Sequence, residues 1–143
     1  MLDGEFYLIG GVDLFPDAFG KPMRIYHRDA YRYSPTKGWR KLPAPPRSVV
    51  AAPSPALTDG NRLVVIGGDH GGAFGFRPPE KHPGFPRDVF AYDPQSDAWQ
   101  SLGDQPNPIA VTALVPWQGG YVVASGELRP AIRSIETWFV RTR

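Results

Sequence analysis

The stretch FYLIGG at residues 6–11 decides the fold of this chain, because it returns as LVVIGG at residues 63–68 and, in weakened form, as YVVASG at residues 121–126. Each of the first two copies is followed by a variable loop, a tyrosine and a tryptophan: Tyr33 with Trp39, and Tyr92 with Trp99. The first glycine recurs after 57 residues, the tyrosine after 59 and the tryptophan after 60. Self-similarity at a nearly fixed period predicts an array of like supersecondary units.

Each unit has the pattern of short strands separated by turns. Residues 62–67 are a β-branched apolar run ending at a glycine pair, residues 88–92 alternate and stop at Asp-Pro, and residues 98–102 surround a tryptophan. Residues 48–57 are predicted to open the unit as a strand, and residues 58–61 to form its hairpin turn. No stretch has sustained helical periodicity. The sequence predicts an all-β chain whose unit is four antiparallel strands, the content of one propeller blade.

A strand ending in Gly-Gly, a long loop, a tyrosine and then a tryptophan six or seven residues later resembles the kelch repeat. The resemblance covers essentially the whole chain and implies a kelch-type β-propeller. Trp39 and Trp99 are then expected to be buried apolar fillers between neighbouring blades, each indole N–H bonded to a backbone carbonyl. The alternative for these aromatic residues is a platform on which sugars stack, and the inter-blade role is the favoured interpretation.

The number of strands predicts a partial propeller. Four strands per blade give about two and a half blades, whereas closed propellers have about four to eight. The blade pieces are predicted at residues 1–47, 48–108 and 109–143 of one domain. The chain begins on a second strand, and we therefore expect the C-terminal part of a longer propeller. The expected partners of its open flanks are missing N-terminal blades or a second copy of the chain.

Composition excludes several classes of function. Hydrophobic residues make up 41% and charged residues 21%, as in a globular protein rather than a disordered one. The net charge of +2 comes without a basic run interleaved with aromatic residues, so no nucleic-acid partner is expected. No apolar segment of about 18 residues predicts a membrane span, and no signal peptide is recognisable. The compartment stays undetermined, although the family resemblance is compatible with a periplasmic or secreted location.

The cysteine and histidine content argues against metal chemistry. The chain has no cysteine, so it forms neither a disulfide nor the Tyr–Cys crosslink of the copper enzyme galactose oxidase, to which many kelch propellers are likened. His27, His70 and His82 show no metal-ligand spacing. We therefore predict no metal and no cofactor, and interpret the histidines as polar loop residues.

Two long loops, residues 12–28 and 69–87, carry the candidate ligand contacts. In propellers the connections between second and third strands gather on one face around the central channel. The second loop contains aromatic residues and Pro-Gly corners, which favour an ordered loop that packs on itself. Its candidate contacts to a polyhydroxy ligand are Asp69, His70, Arg77 and His82. As alternatives, Asp69 caps a turn and Arg77 is merely solvated.

The third copy replaces the long loop by a short charged one, SGELRPAIRS at residues 125–134. This segment resembles the Gly-Glu-x-Lys/Arg-Pro-Gly-x-Arg-Thr/Ser stretch of the bacterial sialic acid mutarotases, also called N-acetylneuraminate epimerases. The resemblance implies Glu127 and Arg133 as the catalytic pair and Arg129 as a substrate contact. Ala131 stands where that family prefers glycine, which alters the turn that is allowed. The structural alternative is a salt-bridged pair that braces the Pro turn.

The residues leave two hypotheses of different classes. In the first, the chain belongs to a sugar isomerase in which Glu127 acts as base and then as acid, while Arg133 holds the carboxylate of a small sugar ligand. In the second, it is a non-catalytic kelch module that binds protein or glycan through its loop face. Convergence of Glu127, Arg133, His70 and His82 on one cavity would discriminate between them.

Overall fold

The computed structural model describes residues 1–142, and antiparallel strands dominate it. Its strands, in chain order, are β1 (Phe6–Ile9), β2 (Val12–Pro16), β3 (Pro22–Tyr26), β4 (Ala30–Ser34), β5 (Gly38–Leu42), β6 (Leu57–Asp59), β7 (Arg62–Ile66), β8 (Asp88–Asp93), β9 (Ala98–Asp104), β10 (Leu114–Trp117), β11 (Gly120–Ala124), β12 (Glu127–Arg129), β13 (Ile132–Arg133) and β14 (Thr137–Arg141). Within residues 1–142 the only helix is one 3₁₀ turn at Pro79–Lys81.

Three sheets repeat one arrangement. The middle sheet has four strands in the order β6-β7-β8-β9, all antiparallel, as expected for one complete blade. The first sheet, β1-β4-β5, matches the second to fourth strands of that blade, and the third sheet, β10-β11-β14, matches the first to third. The all-β, blade-like organisation predicted from the repeat is confirmed.

Strand β7 shows why the repeated apolar run folds as a central strand. Leu63 and Val65 point to one side, where they pack with residues of the first sheet and of the segment that follows it. Val64 and Ile66 point to the other side, where they pack with Leu114 and other residues of the third sheet. Both faces are therefore buried, and full burial of each such side chain contributes about 1.5–3 kcal/mol.

Two names describe the sheet faces. The back face of each sheet carries the residues equivalent to Leu63 and Val65, and the front face carries those equivalent to Val64 and Ile66. The front face of the first sheet packs on the back face of the middle sheet, with Ala30, Leu42 and Tyr92 buried between them. The front face of the middle sheet packs on the back face of the third sheet. Within residues 1–142, no further sheet covers the back face of the first sheet or the front face of the third.

Glycine is required at the end of the repeated strand. Gly10 and Gly67 have φ of 66° and 59°, in the left-handed region. A Cβ atom on either residue would overlap a backbone carbonyl oxygen, that of Val49 for Gly10 and that of Ile109 for Gly67. The glycine pair thus lets the chain leave one sheet while touching the backbone that leads to the next.

The segment expected to open the middle blade is shorter than predicted. Residues 48–57 are predicted to form one strand, but only Leu57 of them lies in β6. Two of the preceding residues form isolated bridges, Val50 with Asp69 and Ser54 with Ala113. Two prolines at 53 and 55 lack the N–H that a ladder needs, which explains the irregular path. The hairpin turn contains only Gly60 and Asn61, because Asp59 pairs with Arg62.

The first long loop is a β-hairpin rather than an irregular connection. Within residues 12–28, β2 and β3 pair from Val12 opposite Tyr26 to Pro16 opposite Pro22. Asp17 closes the turn by accepting hydrogen bonds from the N–H groups of Phe19 and Lys21. The hairpin is largely exposed, so its sequence carries little of the burial pattern from which strands are predicted.

The two tryptophans occupy matching positions but differ in burial. Trp39 pairs with Tyr33 and Trp99 with Tyr92, in the same register between the third and fourth blade strands. The Trp99 indole N–H donates to the carbonyl of Pro43 at 2.8 Å, as predicted for an inter-blade filler. Trp39 is 57% exposed, so its predicted burial is wrong. Its side chain lies on the back face of the first sheet, which no other sheet covers.

Candidate functional site

The three connections between the second and third blade strands lie side by side. The Arg24 guanidinium of the β2–β3 hairpin stacks on Phe74 of the loop at residues 69–87, with 4.8 Å between its central carbon and the ring centroid. On the other side of that loop, the Phe85 N–H donates to the carbonyl of Leu128 in the β12–β13 hairpin at 3.0 Å. Loops of three successive sheets therefore form one continuous face, as predicted for the ligand face of a propeller.

A cavity of about 710 Å³ opens between these loops. The first hairpin contributes Lys21, Arg24 and Tyr26, and the tip of the β12–β13 hairpin contributes Pro130. The loop at residues 69–87 contributes the aromatic and polar part of the wall, namely Asp69, Phe74, Phe76, Arg77 and His82. Three of the five predicted substrate contacts, Asp69, Arg77 and His82, thus share one cavity.

Asp69 is both a turn cap and a partner of the neighbouring hairpin. Its Oδ1 accepts the Gly71 N–H at 2.9 Å, which is the capping role considered as an alternative. Its Oδ2 accepts the Tyr26 hydroxyl hydrogen at 3.0 Å. Burial raises the pKa of Tyr26, and the nearby Asp69 carboxylate adds to the effect, so this phenol stays protonated as a donor. Asp69 therefore joins two loops with both of its oxygens engaged.

His82 is the buried imidazole of the cavity wall. It is 8% exposed and lies edge-on to Phe76 and Phe85, with ring centroids 5.8 and 6.0 Å away. Its Nδ1 accepts the Gly84 N–H at 3.1 Å. In the neutral ring this bond leaves the proton on Nε2, which can then donate to a ligand in the cavity. The prediction that this loop is ordered and packs on itself is confirmed.

His70 does not join this cavity. Its side chain is exposed, its Nδ1 accepts the Gly72 N–H at 3.3 Å, and it lines a separate cleft with Arg47, Arg87 and Asp88. The convergence of Glu127, Arg133, His70 and His82 on one cavity, which would discriminate between the two hypotheses, is therefore not found among residues 1–142. The residue after it, Gly71, lies against the Tyr26 ring so closely that a Cβ atom there would overlap the ring.

Glu127 and Arg133 are opposite each other in the β12–β13 ladder. The Arg133 Nη2 lies 3.8 Å from the Glu127 Oε1, and the two side chains are 57% and 20% exposed. The backbone of Glu127 exchanges two hydrogen bonds with Ala110, at 2.7 and 3.0 Å, which ties the hairpin to the preceding segment. The carboxylate is thus half-buried and fixed, whereas the guanidinium reaches into solvent.

The turn of this hairpin departs from ordinary backbone geometry. Ala131 has φ of 64°, in the left-handed region that glycine adopts without strain. Here alanine forms a turn for which glycine would be the ordinary residue. Arg129, the remaining predicted contact, is half-buried, and its Nε has no hydrogen-bond partner within residues 1–142.

The sequence does not predict Lys21, Arg24 or Tyr26 as site residues, because residues 12–28 are predicted there as a loop. The run PMRIY at residues 22–26 alternates only over Met23, Arg24 and Ile25, which is a weak strand signal. Alternation places Arg24 and Tyr26 on the same face, two residues apart.

Within residues 1–142 no three His, Asp or Glu residues lie close enough to hold a metal ion, and no helix there is long and apolar enough to cross a membrane.

Comparisons with known proteins agree with the repeat and the sheets. A family model described as the Kelch motif matches residues 51–106, which contain the middle sheet and its loop. The solved structure of YjhT resembles the chain with a TM-score of 0.69 at 18% sequence identity, over 99% of this chain and 50% of that one. The chain therefore has the fold of part of a kelch-type β-propeller.

Two curated proteins show which kelch-type propellers the chain resembles in sequence. The chain is 28% identical to the N-acetylneuraminate epimerase of Haemophilus influenzae (strain PittEE), over 95% of this chain and 42% of that protein. It is 27% identical to the enzyme of the same name from Yersinia pestis (strain Pestoides F), over 96% and 41%. The chain spans about two fifths of the length of these curated relatives. The chain is therefore similar in sequence to part of proteins named N-acetylneuraminate epimerase.

Proposed function

We propose that this chain supplies part of the loop face of a sugar mutarotase acting on an acidic sugar, with Glu127 as the acid–base residue and Arg133 as its partner. The observation that carries the proposal is the Glu127–Arg133 pair, held opposite each other in a short hairpin with 3.8 Å between charged atoms. It is supported by the similarity to proteins named N-acetylneuraminate epimerase. The pair occurs in the segment that resembles the mutarotases.

The chemistry of mutarotation needs a general base and a general acid, and a carboxylate of this kind can serve as both. The Glu127 carboxylate takes the proton of the anomeric hydroxyl while the bond between the anomeric carbon and the ring oxygen breaks. The protonated Glu127 carboxyl gives this proton to the ring oxygen as it leaves, which gives the open-chain carbonyl form. Rotation of the carbonyl group about its bond to the neighbouring chain carbon, followed by reversal of these steps, closes the ring as the other anomer. Arg133 beside Glu127 favours the ionised carboxylate, which is the form that accepts the first proton.

The remaining predicted contacts serve binding in this proposal. Arg133 is more than half exposed, so donors of its guanidinium stay available to an oxygen of the ligand near Glu127. Asp69, Arg77 and His82 line the cavity whose wall ends at Pro130, close to the catalytic hairpin. Arg129, next to Pro130, would contact a part of a larger ligand that extends beyond the cavity, whereas His70 lines a separate cleft and has no contact in this proposal. The expected partners are the sugar ligand and, at the open flanks, further blades or a second copy of the chain.

A second candidate is a binding module without catalysis. It is favoured by the observation that neither Glu127 nor Arg133 lines the cavity that contains Asp69, Arg77 and His82. In that case the pair braces the Pro turn, and the loop face binds a glycan or a protein segment. Fold alone does not choose between the two functions.

Anomer exchange measured by NMR tests the proposal. Saturation transfer between the α and β forms of N-acetylneuraminate is recorded with the longest form of the protein that its cells produce. Glu127→Gln should lower the catalysed exchange rate by about two to four orders of magnitude, because the amide has the same size but accepts no proton. The matched control is Glu80→Gln, an exposed carboxylate in the 3₁₀ turn, which should leave exchange unchanged. Equal exchange in Glu127→Gln and wild type would favour the binding module.

A further inference from the structure

We infer that Arg24, on the β2–β3 hairpin, binds the carboxylate of an acidic sugar in the loop cavity and sets its preference for charged over neutral sugars. The choice of a sugar acid as the ligand rests on the proposed function. The assignment of Arg24 rests on its position, because it lines the cavity from a different sheet than the Glu127–Arg133 hairpin. It makes the hairpin of the first sheet a specificity element of the site.

A chain of contacts holds the Arg24 guanidinium in place. Its flat face lies on the Phe74 ring at 4.8 Å, and its Nη1 donates to the Tyr26 hydroxyl at 3.3 Å. The Tyr26 hydroxyl in turn donates to the Asp69 Oδ2 at 3.0 Å, and the Tyr26 and Phe74 rings are 6.3 Å apart. The side chain is therefore oriented before a ligand arrives, which reduces the entropy lost on binding. Its other donors stay available to a planar, bidentate acceptor such as a carboxylate.

The charge of the cavity favours an anion. Three cations line it, namely Lys21, Arg24 and Arg77, against a single carboxylate, that of Asp69. Both oxygens of that carboxylate already accept hydrogen bonds from Tyr26 and Gly71. Within residues 1–142 none of the three cations forms an ion pair. A cleft lined by an excess of one charge attracts ligands of the opposite charge.

The shape and lining of the cavity suit a ring rather than a bare anion. Its volume of about 710 Å³ is within the range of small-molecule sites, and several times larger than a simple oxyanion needs. Phe76 supplies an apolar ring, and His82 presents an imidazole nitrogen that can donate to a hydroxyl. An anchoring cation at one end and aromatic and polar groups along the wall match a pyranose that carries a carboxylate.

Binding of N-acetylneuraminate and of its methyl ester by the full chain tests this inference. The ester keeps the ring and removes the charge. By titration calorimetry or NMR titration, wild type should bind the acid about tenfold or more tightly than the ester. Arg24→Ala should bring the acid to the affinity of the ester and leave the ester unchanged. Arg24→Lys should restore part of the preference, because an ammonium supplies charge without the guanidinium fork.

The matched control is Arg141→Ala. Arg141 also lies over a phenylalanine, 5.6 Å from the Phe139 centroid, but on strand β14 rather than in the cavity. Its removal should not alter the preference for the acid. Circular dichroism checks that each variant folds. The inference is overturned if Arg24→Ala keeps the preference, if neither compound binds at about millimolar concentration, or if inorganic phosphate competes as well as the sugar acid.

The test is independent of the catalytic proposal. Failure of Glu127→Gln to slow anomer exchange, with loss of the acid preference in Arg24→Ala, would leave a binding module specific for acidic sugars. Slowed exchange in Glu127→Gln, with an unchanged preference in Arg24→Ala, would leave the enzyme and remove Arg24 from its site.

Discussion

Strands β1 and β7 have the same pattern but opposite surroundings on their back faces. Leu63 and Val65 of β7 are 2% and 4% exposed, because the front face of the first sheet packs on them. Their equivalents on β1, Phe6 and Leu8, are 45% and 49% exposed. The repeat therefore encodes an apolar back face in every unit, and the presence of a neighbouring sheet decides whether that face is buried.

The tyrosine–tryptophan pairs repeat the contrast. Tyr92 is fully buried, and its hydroxyl donates to the Asp97 Oδ1 at 2.6 Å, whereas its equivalent Tyr33 is 37% exposed. Trp99 donates a hydrogen bond to Pro43, just after the last strand of the first sheet, whereas Trp39 packs on Phe6, Tyr31 and Tyr33 of its own sheet. Equivalent residues of the two sheets thus contribute unequally to the stability of the fold, because the area that a side chain buries determines its contribution.

Truncation of the equivalent residues should give the largest difference. Leu63→Ala should lower the free energy of unfolding by about 2–4 kcal/mol, because it opens a cavity between two sheets. Phe6→Ala should lower it by less than about 1 kcal/mol, although it removes a larger side chain, because that side chain is already half in water. Urea denaturation followed by circular dichroism measures both. Similar losses for the two variants would show that the back face of β1 is covered in solution.

The comparison also shows how far the sequence predicts the fold. The four-strand unit, the glycine pair and the tyrosine–tryptophan register were predictable, because each blade must bury alternate residues on both faces. The exposure of Trp39 was not, since the residues that would cover it belong to another sheet. The site was half predictable. The loop that contains Asp69, Arg77 and His82 could be recognised from the sequence. Arg24 could not be assigned to the cavity, because it lies on an exposed hairpin that folds against that loop.

The open faces should cause self-association. The back face of the first sheet, with Phe6, Leu8 and Trp39, is of the same kind as the back face that packs within the chain, and the front face of the third sheet exposes Trp117 and Phe139. Apolar patches of this kind usually mark a missing partner surface. Sedimentation velocity should therefore show species larger than a monomer, increasing with concentration.

A charge on the back face distinguishes this explanation from general aggregation. Leu8→Lys should raise the dissociation constant by about tenfold or more, because an ammonium would be desolvated in the contact. Ile135→Lys is the matched control, since Ile135 is fully exposed and outside the strands. A monomer that melts cooperatively at every concentration would contradict the prediction and show that the open faces are stable in water.

The smallest expected effect concerns the polar link between the two sheets. Asp97 accepts hydrogen bonds from Tyr92 at 2.6 Å and from Arg40 of the first sheet at 3.0 Å. The Tyr92 bond, followed by the Arg40 bond, lowers the pKa of Asp97 below its usual value. A carboxylate with a lowered pKa stabilises the folded state above the unfolded-state pKa of about 4, and this contribution is lost as the pH falls through the folded-state value.

In the first sheet the position equivalent to Asp97 is Lys37, just before Gly38. Because a lysine cannot accept these hydrogen bonds, the pH dependence should be confined to the middle sheet. Asp97→Asn should lower the stability at pH 7 slightly, because the side chain is 43% exposed and solvent screens the pair. The difference from wild type should shrink as the pH falls below about 4. Tyr92→Phe, which removes the strongest donor, should reduce that pH dependence. Urea denaturation at pH 7, 5, 4 and 3 provides the measurement, and a difference that grows toward low pH would reverse the sign of the argument.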